Sequence, residues 1–138
     1  VSQEKTLGQE TRKLSLKNIL KMTQWRMFQK RPIVCEISSE DLKAKLDHRE
    51  PITIIDVREP DEYEICRLPE AKLIPLRQIP KNLSEFKPDE FTVLYCHHGM
   101  RSAQAVIWLN QNGFKNVASL RGGIDDWALK VDSSMERY

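Results

Sequence analysis

Glycine and cysteine are scarce in this chain, at 5 and 3 of 138 residues, and the scarcity of cysteine excludes whole classes of protein. Cys35, Cys66 and Cys96 are an odd number, and none sits in a CxxC or Cys/His arrangement with zinc-ligand spacing. Neither a disulfide framework nor a structural metal site is expected. No apolar run reaches the ~18 residues that a membrane-spanning helix needs. The first 30 residues lack the apolar core and small-residue cleavage site of a secretory signal. An excess of one charge is also missing, since 22 Lys and Arg against 20 Asp and Glu leave a formal net charge of +2. Such a balance calls for neither a nucleic-acid nor a membrane partner. The expectation is a soluble cytoplasmic protein whose apolar content, 40%, suffices for one ordinary core. The chain opens on Val1 rather than methionine, which suggests a piece of something longer.

Residues 1–31 are rich in Ser, Gln, Lys and Thr, and their sparse apolar residues follow neither the helical nor the strand period. They read as a linker or partner-facing segment with weak helical character. The domain proper is expected over 32–138. There, five short apolar runs (33–37, 52–57, 72–76, 91–96 and 116–120) alternate with amphipathic stretches. That order predicts an α/β domain with a mostly parallel sheet. Ser38 or Ser39 can cap a helix reaching Asp47, with Glu40 and Asp41 suiting its positive end. Pro60 opens a short helix to Ile65, a weaker one over 78–86 is interrupted by Pro80, and a strong one over 102–112 stops at Gly113. Gly122-Gly123 then turns into a final helix over 124–131.

The chemistry concentrates in Phe91-Thr-Val-Leu-Tyr-Cys96-His-His-Gly99-Met-Arg101-Ser102. Here a strand runs through a short polar loop into the strongest helix, at the carboxyl end of a parallel sheet where such folds place their sites. A cysteine before a helix amino terminus meets unpaired amides and the positive end of the helix dipole, which favour an anionic, nucleophilic sulfur. Consecutive amides from His97 to Ser102 can cradle a second anionic atom, and Gly99 permits the turn that aims them inward. A buried structural cysteine is the bland alternative, and His97, His98, Gly99 and Arg101 crowded behind Cys96 count against it. His97 and His98 are poor metal ligands, because adjacent residues point apart and no third ligand accompanies them.

Cys96-His97-His98-Gly99-Met100-Arg101-Ser102 resembles the active-site pattern of the rhodanese family. Two further stretches are similar to that family in the family's order: Ile55-Asp56-Val57-Arg58-Glu59-Pro60-Asp61-Glu62-Tyr63, and 116–127 with its Gly122-Gly123-Ile124 and Trp127. The resemblance implies a five-stranded parallel sheet with helices on both faces and no cofactor. Cys96 would be a catalytic cysteine alternating between thiol and persulfide, and His97 to Ser102 an anion-binding loop. Asp56 and Arg58 would brace its floor as an ion pair. Arg101 could clamp the oxyanions of a thiosulfate-like donor or meet an acidic partner. Where the family usually carries Gly-His-Ile-Pro-Gly-Ala, this chain has Cys66-Arg67-Leu68-Pro69-Glu70-Ala71. Arg67 alters the charge expected at the site's mouth. Cys66 is either a second thiol resolving the Cys96 persulfide or an ordinary core cysteine.

The stretch 123–138 is similar to the end of rhodanese domains fused behind an adenylyltransferase, which implies two partners: that upstream domain and a ubiquitin-like sulfur carrier protein receiving sulfur at its C-terminus. Residues 1–31 would then connect to the missing domain. The donor would be thiosulfate or the persulfide of a cysteine desulfurase. One alternative is a non-catalytic interaction module of the same fold. Another is a phosphatase or arsenate reductase, whose loops place five residues between Cys and Arg; here only His97, His98, Gly99 and Met100 intervene. Trp108 and Trp127 are expected as core anchors.

Overall fold

The computed structural model describes residues 33–138, and the reading of 1–31 as a linker lies outside them. The elements run β1 (Glu36–Ile37), α1 (Ser39–Asp47), β2 (Ile52–Asp56), α2 (Pro60–Ile65) and β3 (Lys72–Leu73). Two 3-10 turns follow (Leu76–Lys81 and Leu83–Glu85), then β4 (Phe91–Tyr95), α3 (Met100–Gln111), β5 (Val117–Leu120) and α4 (Gly123–Lys130). Among the described residues the strands form one sheet in the order β1-β5-β4-β2-β3, with every pairing parallel. The α/β architecture expected from the alternating runs is therefore present, with β4 in the middle.

Strand alternation divides the core in two. Ile55, Val57, Leu94, Cys96 and Val117 face a cluster with Ala105, Val106 and Leu109 of α3 and with Ile79 and Phe86. Ile54, Val93, Tyr95, Ala118 and Leu120 face the other way, against Leu42 of α1 and Ile124 and Trp127 of α4. Helices thus cover both faces. Ser38 caps α1 by accepting from the Asp41 amide at 3.1 Å, while Ser39 Oγ donates to Asp126 Oδ2 at 2.8 Å and ties α1 to α4.

Three local expectations need correction. The edge strands are shorter than their apolar runs: Ile33 is exposed, and β3 ends at Leu73, although the Ile74 and Leu76 amides still donate to the Asp56 and Val57 carbonyls. The weak helix over 78–86 is a pair of 3-10 turns, because Pro80 lacks the donor that a continuous α-helix requires. Trp127 is a core anchor as expected, whereas Trp108 is only half-buried and packs on the edge of the α3 core. Glu70, standing where the rhodanese pattern has glycine, adopts a left-handed φ of 58°.

Candidate functional site

Cys96 directly follows β4 and is 1% exposed. Three groups converge on its Sγ: the Gly99 amide at 3.1 Å, the Ser102 amide at 3.5 Å and the Ser102 hydroxyl at 3.5 Å. Gly99 caps α3 with φ 105°, a left-handed turn that swings its N–H back onto the sulfur. The helix therefore begins at Met100, two residues before the expected start, and both amides belong to its open end. Ser102 is wholly buried and is held by Ser119 Oγ on β5 at 2.7 Å and by the Gly99 carbonyl at 3.2 Å. The Gly99 and Ser102 amides directed at one sulfur stabilise negative charge on it, or on an atom attached to it.

The outer side of the loop is fixed by α4. The Ile124 amide donates to the Cys96 carbonyl at 2.9 Å and the Asp125 amide to the His97 carbonyl at 3.1 Å. With these carbonyls turned outward, the Gly99 and Ser102 amides are left to face the sulfur. Gly123 makes the approach possible. A Cβ there would lie 2.3 Å from the His97 oxygen and 2.5 Å from that of Cys96.

Asp56 and Arg58, both 0% exposed, form a bidentate pair with Arg58 Nη2 2.6 Å and Nε 2.9 Å from the carboxylate oxygens. Arg58 Nη2 also donates to the Cys66 carbonyl at 2.6 Å, and Nη1 donates to the Tyr138 hydroxyl at 2.9 Å. Burial works against its charge, but the Asp56 and Tyr138 hydrogen bonds hold its pKa above the ordinary value. The pair is a buried structural brace between β2 and the segment after α2. Cys66 Sγ lies 3.9 Å from Arg58 Nη1 and packs with the α1 and α4 core, while Cys96 belongs to the α3 core.

Arg101, expected to clamp an oxyanion or meet an acidic partner, is paired within the chain. Its Nη1 and Nη2 donate to Glu62 Oε2 and Oε1 at 2.7 and 2.9 Å. Glu62 is the third residue of α2 in a capping box, accepts from the Glu59 amide at 3.0 Å, and accepts from the Tyr138 hydroxyl at 3.3 Å. The Arg101 hydrogen bond, outweighing burial, lowers the Glu62 pKa to about 2. The Tyr138 ring stacks on His97 with centroids 3.9 Å apart and planes 11° apart. Burial, then the neighbouring His98, pushes the His97 pKa down, so its imidazole is neutral near pH 7. His97 Nε2 is buried without a hydrogen-bond partner among the described residues. His98 and Met100 are exposed, and Arg67 lies over the Tyr63 ring at 4.5 Å.

Glu62, Ser119, Gly123 and Tyr138 were not singled out from sequence as parts of the site. The Glu59-Glu62 spacing signals a capping box, yet nothing local joins Glu62 to Arg101, 39 positions away. Among the described residues, no group of three or more His, Cys, Asp or Glu side chains is arranged to hold a metal.

Residues 38–130 match the family model described as the rhodanese-like domain. A sulfurtransferase of Allochromatium vinosum is 41% identical over 96 residues, covering 70% of this chain and 90% of that protein. The Arabidopsis thaliana rhodanese-like/PpiC domain-containing protein 12 is 38% identical over 82% of this chain, which spans only 40% of its length. The probable adenylyltransferase/sulfurtransferase MoeZ of Mycobacterium tuberculosis is 36% identical over 74% of this chain, which spans 26% of it. Among solved structures, a rhodanese-like domain protein from Staphylococcus aureus has a TM-score of 0.66 at 35% identity, covering 76% of this chain and 99% of that one.

Proposed function

The chain belongs to the rhodanese-like domain family, and from that premise we propose that it is a sulfurtransferase carrying sulfane sulfur as a persulfide on Cys96. The observation that carries this reading is the convergence of two amides and a hydroxyl on a buried Cys96 sulfur at a strand-to-helix junction. A nucleophilic Cys96 thiolate attacks the sulfane sulfur of a donor, and the donor's remaining group leaves with the electron pair of the broken bond. The new terminal sulfur keeps the negative charge, and hydrogen-bond donors rather than a base are what stabilise it. The carried sulfur then passes to a thiophilic acceptor by a second attack that returns Cys96 to the thiolate.

We extend the proposal to the acceptor: a ubiquitin-like sulfur carrier protein receiving sulfur at its C-terminus after activation by an adenylyltransferase. Support comes from the similarity to MoeZ and to a putative sulfur carrier protein of Bacillus subtilis, 37% identical over 97 residues. Three free thiols suit a reducing compartment, and the cytoplasm is part of the same proposal.

Intact mass of the protein is measured before and after incubation with thiosulfate and with a low-molecular-weight persulfide, beside Cys96→Ser. The expected result is a reductant-labile gain of about 32 Da that requires the Cys96 thiol. No gain from either donor, or an equal gain in Cys96→Ser, overturns the reading.

A further inference from the structure

Resting on the carrier role of Cys96, we propose that Glu62 selects the sulfur donor: by occupying Arg101 it turns the site away from thiosulfate-like dianions and toward hydropersulfides, R–S–SH. Arg101 is the arginine of the Cys96 loop, and both of its terminal nitrogens are committed to Glu62 in a fork-to-fork pair. Glu62 is itself pinned from two other sides, by the Glu59 amide on Oε2 and the Tyr138 hydroxyl on Oε1. An incoming oxyanion would have to displace a carboxylate that already accepts from four donors.

Three of the neighbouring basic groups are already engaged or uncharged. Arg58 is fully buried and divided between Asp56, the Cys66 carbonyl and the Tyr138 hydroxyl. Arg137 is forked onto Asp125, at 2.8 and 3.3 Å. The His97 imidazole is driven toward its neutral form. What remains at Cys96 is the pair of amides and the Ser102 hydroxyl, a set matched to a single sulfur atom. A sulfonate group, with its oxygens and second negative charge, finds no uncommitted cation in that set.

The two donor reactions balance without an added oxidant. With thiosulfate, the Cys96 thiolate bonds to the outer sulfur, the S–S bond breaks and sulfite departs with the electron pair, leaving a Cys96 persulfide anion. With R–S–SH, the thiolate bonds to the terminal sulfur, the S–S bond breaks and R–S⁻ departs, leaving the protonated Cys96 persulfide. Only the first reaction brings a dianion to the cradle and sends one away. The proposal therefore concerns binding of the donor, and its signature belongs in KM.

The test compares wild type with Glu62→Gln, which keeps an oxygen for the Glu59 amide but gives up the charge that holds Arg101. Cys96 loading is followed with thiosulfate, the carboxylate-free hydropersulfide of 2-mercaptoethanol and a desulfurase-borne protein persulfide, the last two run separately so that small and protein-bound sources are told apart. The ratio of kcat/KM for thiosulfate to that for hydropersulfide should rise about tenfold in Glu62→Gln, as expected for one charge-assisted contact, with the change carried by the thiosulfate KM. Alkylation of Cys96 by anionic iodoacetate relative to neutral iodoacetamide should rise in parallel. Glu62→Asp, too short to hold both nitrogens, should shift both ratios in the same direction by less, and it serves if Glu62→Gln does not fold. Ratios that stay at their wild-type values in the folded variants overturn donor selection while leaving the carrier role intact. Failure of wild type to gain sulfur on Cys96 from every donor would instead overturn the carrier role.

Discussion

Replacing Gly123 by alanine tests whether α4 sets the conformation of the Cys96 loop. The residue has φ 65°, and an added Cβ would fall 2.3 Å from the His97 carbonyl oxygen and 2.5 Å from that of Cys96. Gly113 is a matched control: it too is left-handed, at φ 91°, but nothing lies within 4 Å of its missing Cβ. Alanine costs about 1–2 kcal/mol at either position for the left-handed backbone alone. At Gly123 the two carbonyls must also move, weakening the bonds they accept from the Ile124 and Asp125 amides. Those bonds contribute about 1 kcal/mol each, for a total of about 3–4 kcal/mol. In a domain of this size that becomes a fall in Tm of roughly 15 to 20 °C for Gly123→Ala and roughly 5 to 10 °C for Gly113→Ala. Thermal melts followed by circular dichroism give the comparison, and iodoacetamide alkylation of Cys96 in the folded proteins reports the loop, with the rate changed only in Gly123→Ala. Equal losses of Tm with equal alkylation rates would refute the idea that the contact between α4 and the loop carbonyls shapes the cradle.

Asp56→Ala leaves the fully buried Arg58 guanidinium without its carboxylate, and urea unfolding should record a loss of about 3–5 kcal/mol; a loss below about 1 kcal/mol, the range of exposed pairs, would mean that the pair does not act as a brace. For Glu62 the folded pKa is depressed, from 4.5 to about 2, so its contribution to stability is present above pH 4.5 and is lost as pH falls toward about 2. The stability difference between wild type and Glu62→Gln should accordingly narrow over that interval, measured by urea titrations at successive pH values; a difference constant with pH would contradict the assigned pair.

The parts of the fold and site that were legible in the sequence are those written by near neighbours. The β4 run, the Cys96 loop and α3 follow one another directly, and the Asp56-Arg58 pair is separated by a single residue. Ser38 and Pro60 announce α1 and α2 through chemistry confined to the first turn. The illegible parts depend on which distant elements meet. Arg101 looked available for an oxyanion because Glu62 is 39 residues away. Tyr138 gave no local hint that it would join His97, Arg58 and Glu62. The packing of Cys66 against the α1 and α4 core likewise depends on which distant elements meet. Short edge strands escaped detection for a related reason: apolar residues can bury themselves without completing a ladder, as Val34 does beside β1.

The burial of Cys96 has a mechanical consequence. A phosphopantetheine or lipoyl arm visits its partners by swinging, but a cysteine side chain at the end of a central strand cannot. One added sulfur extends its reach by about 2 Å, the length of an S–S bond. With Cys96 1% exposed, cargo on it would barely clear the protein surface. Delivery would then fall to the recipient, which must thread a narrow group into the cradle. A small thiol or the free end of an extended chain has that shape; a nucleophile set in a broad folded surface does not.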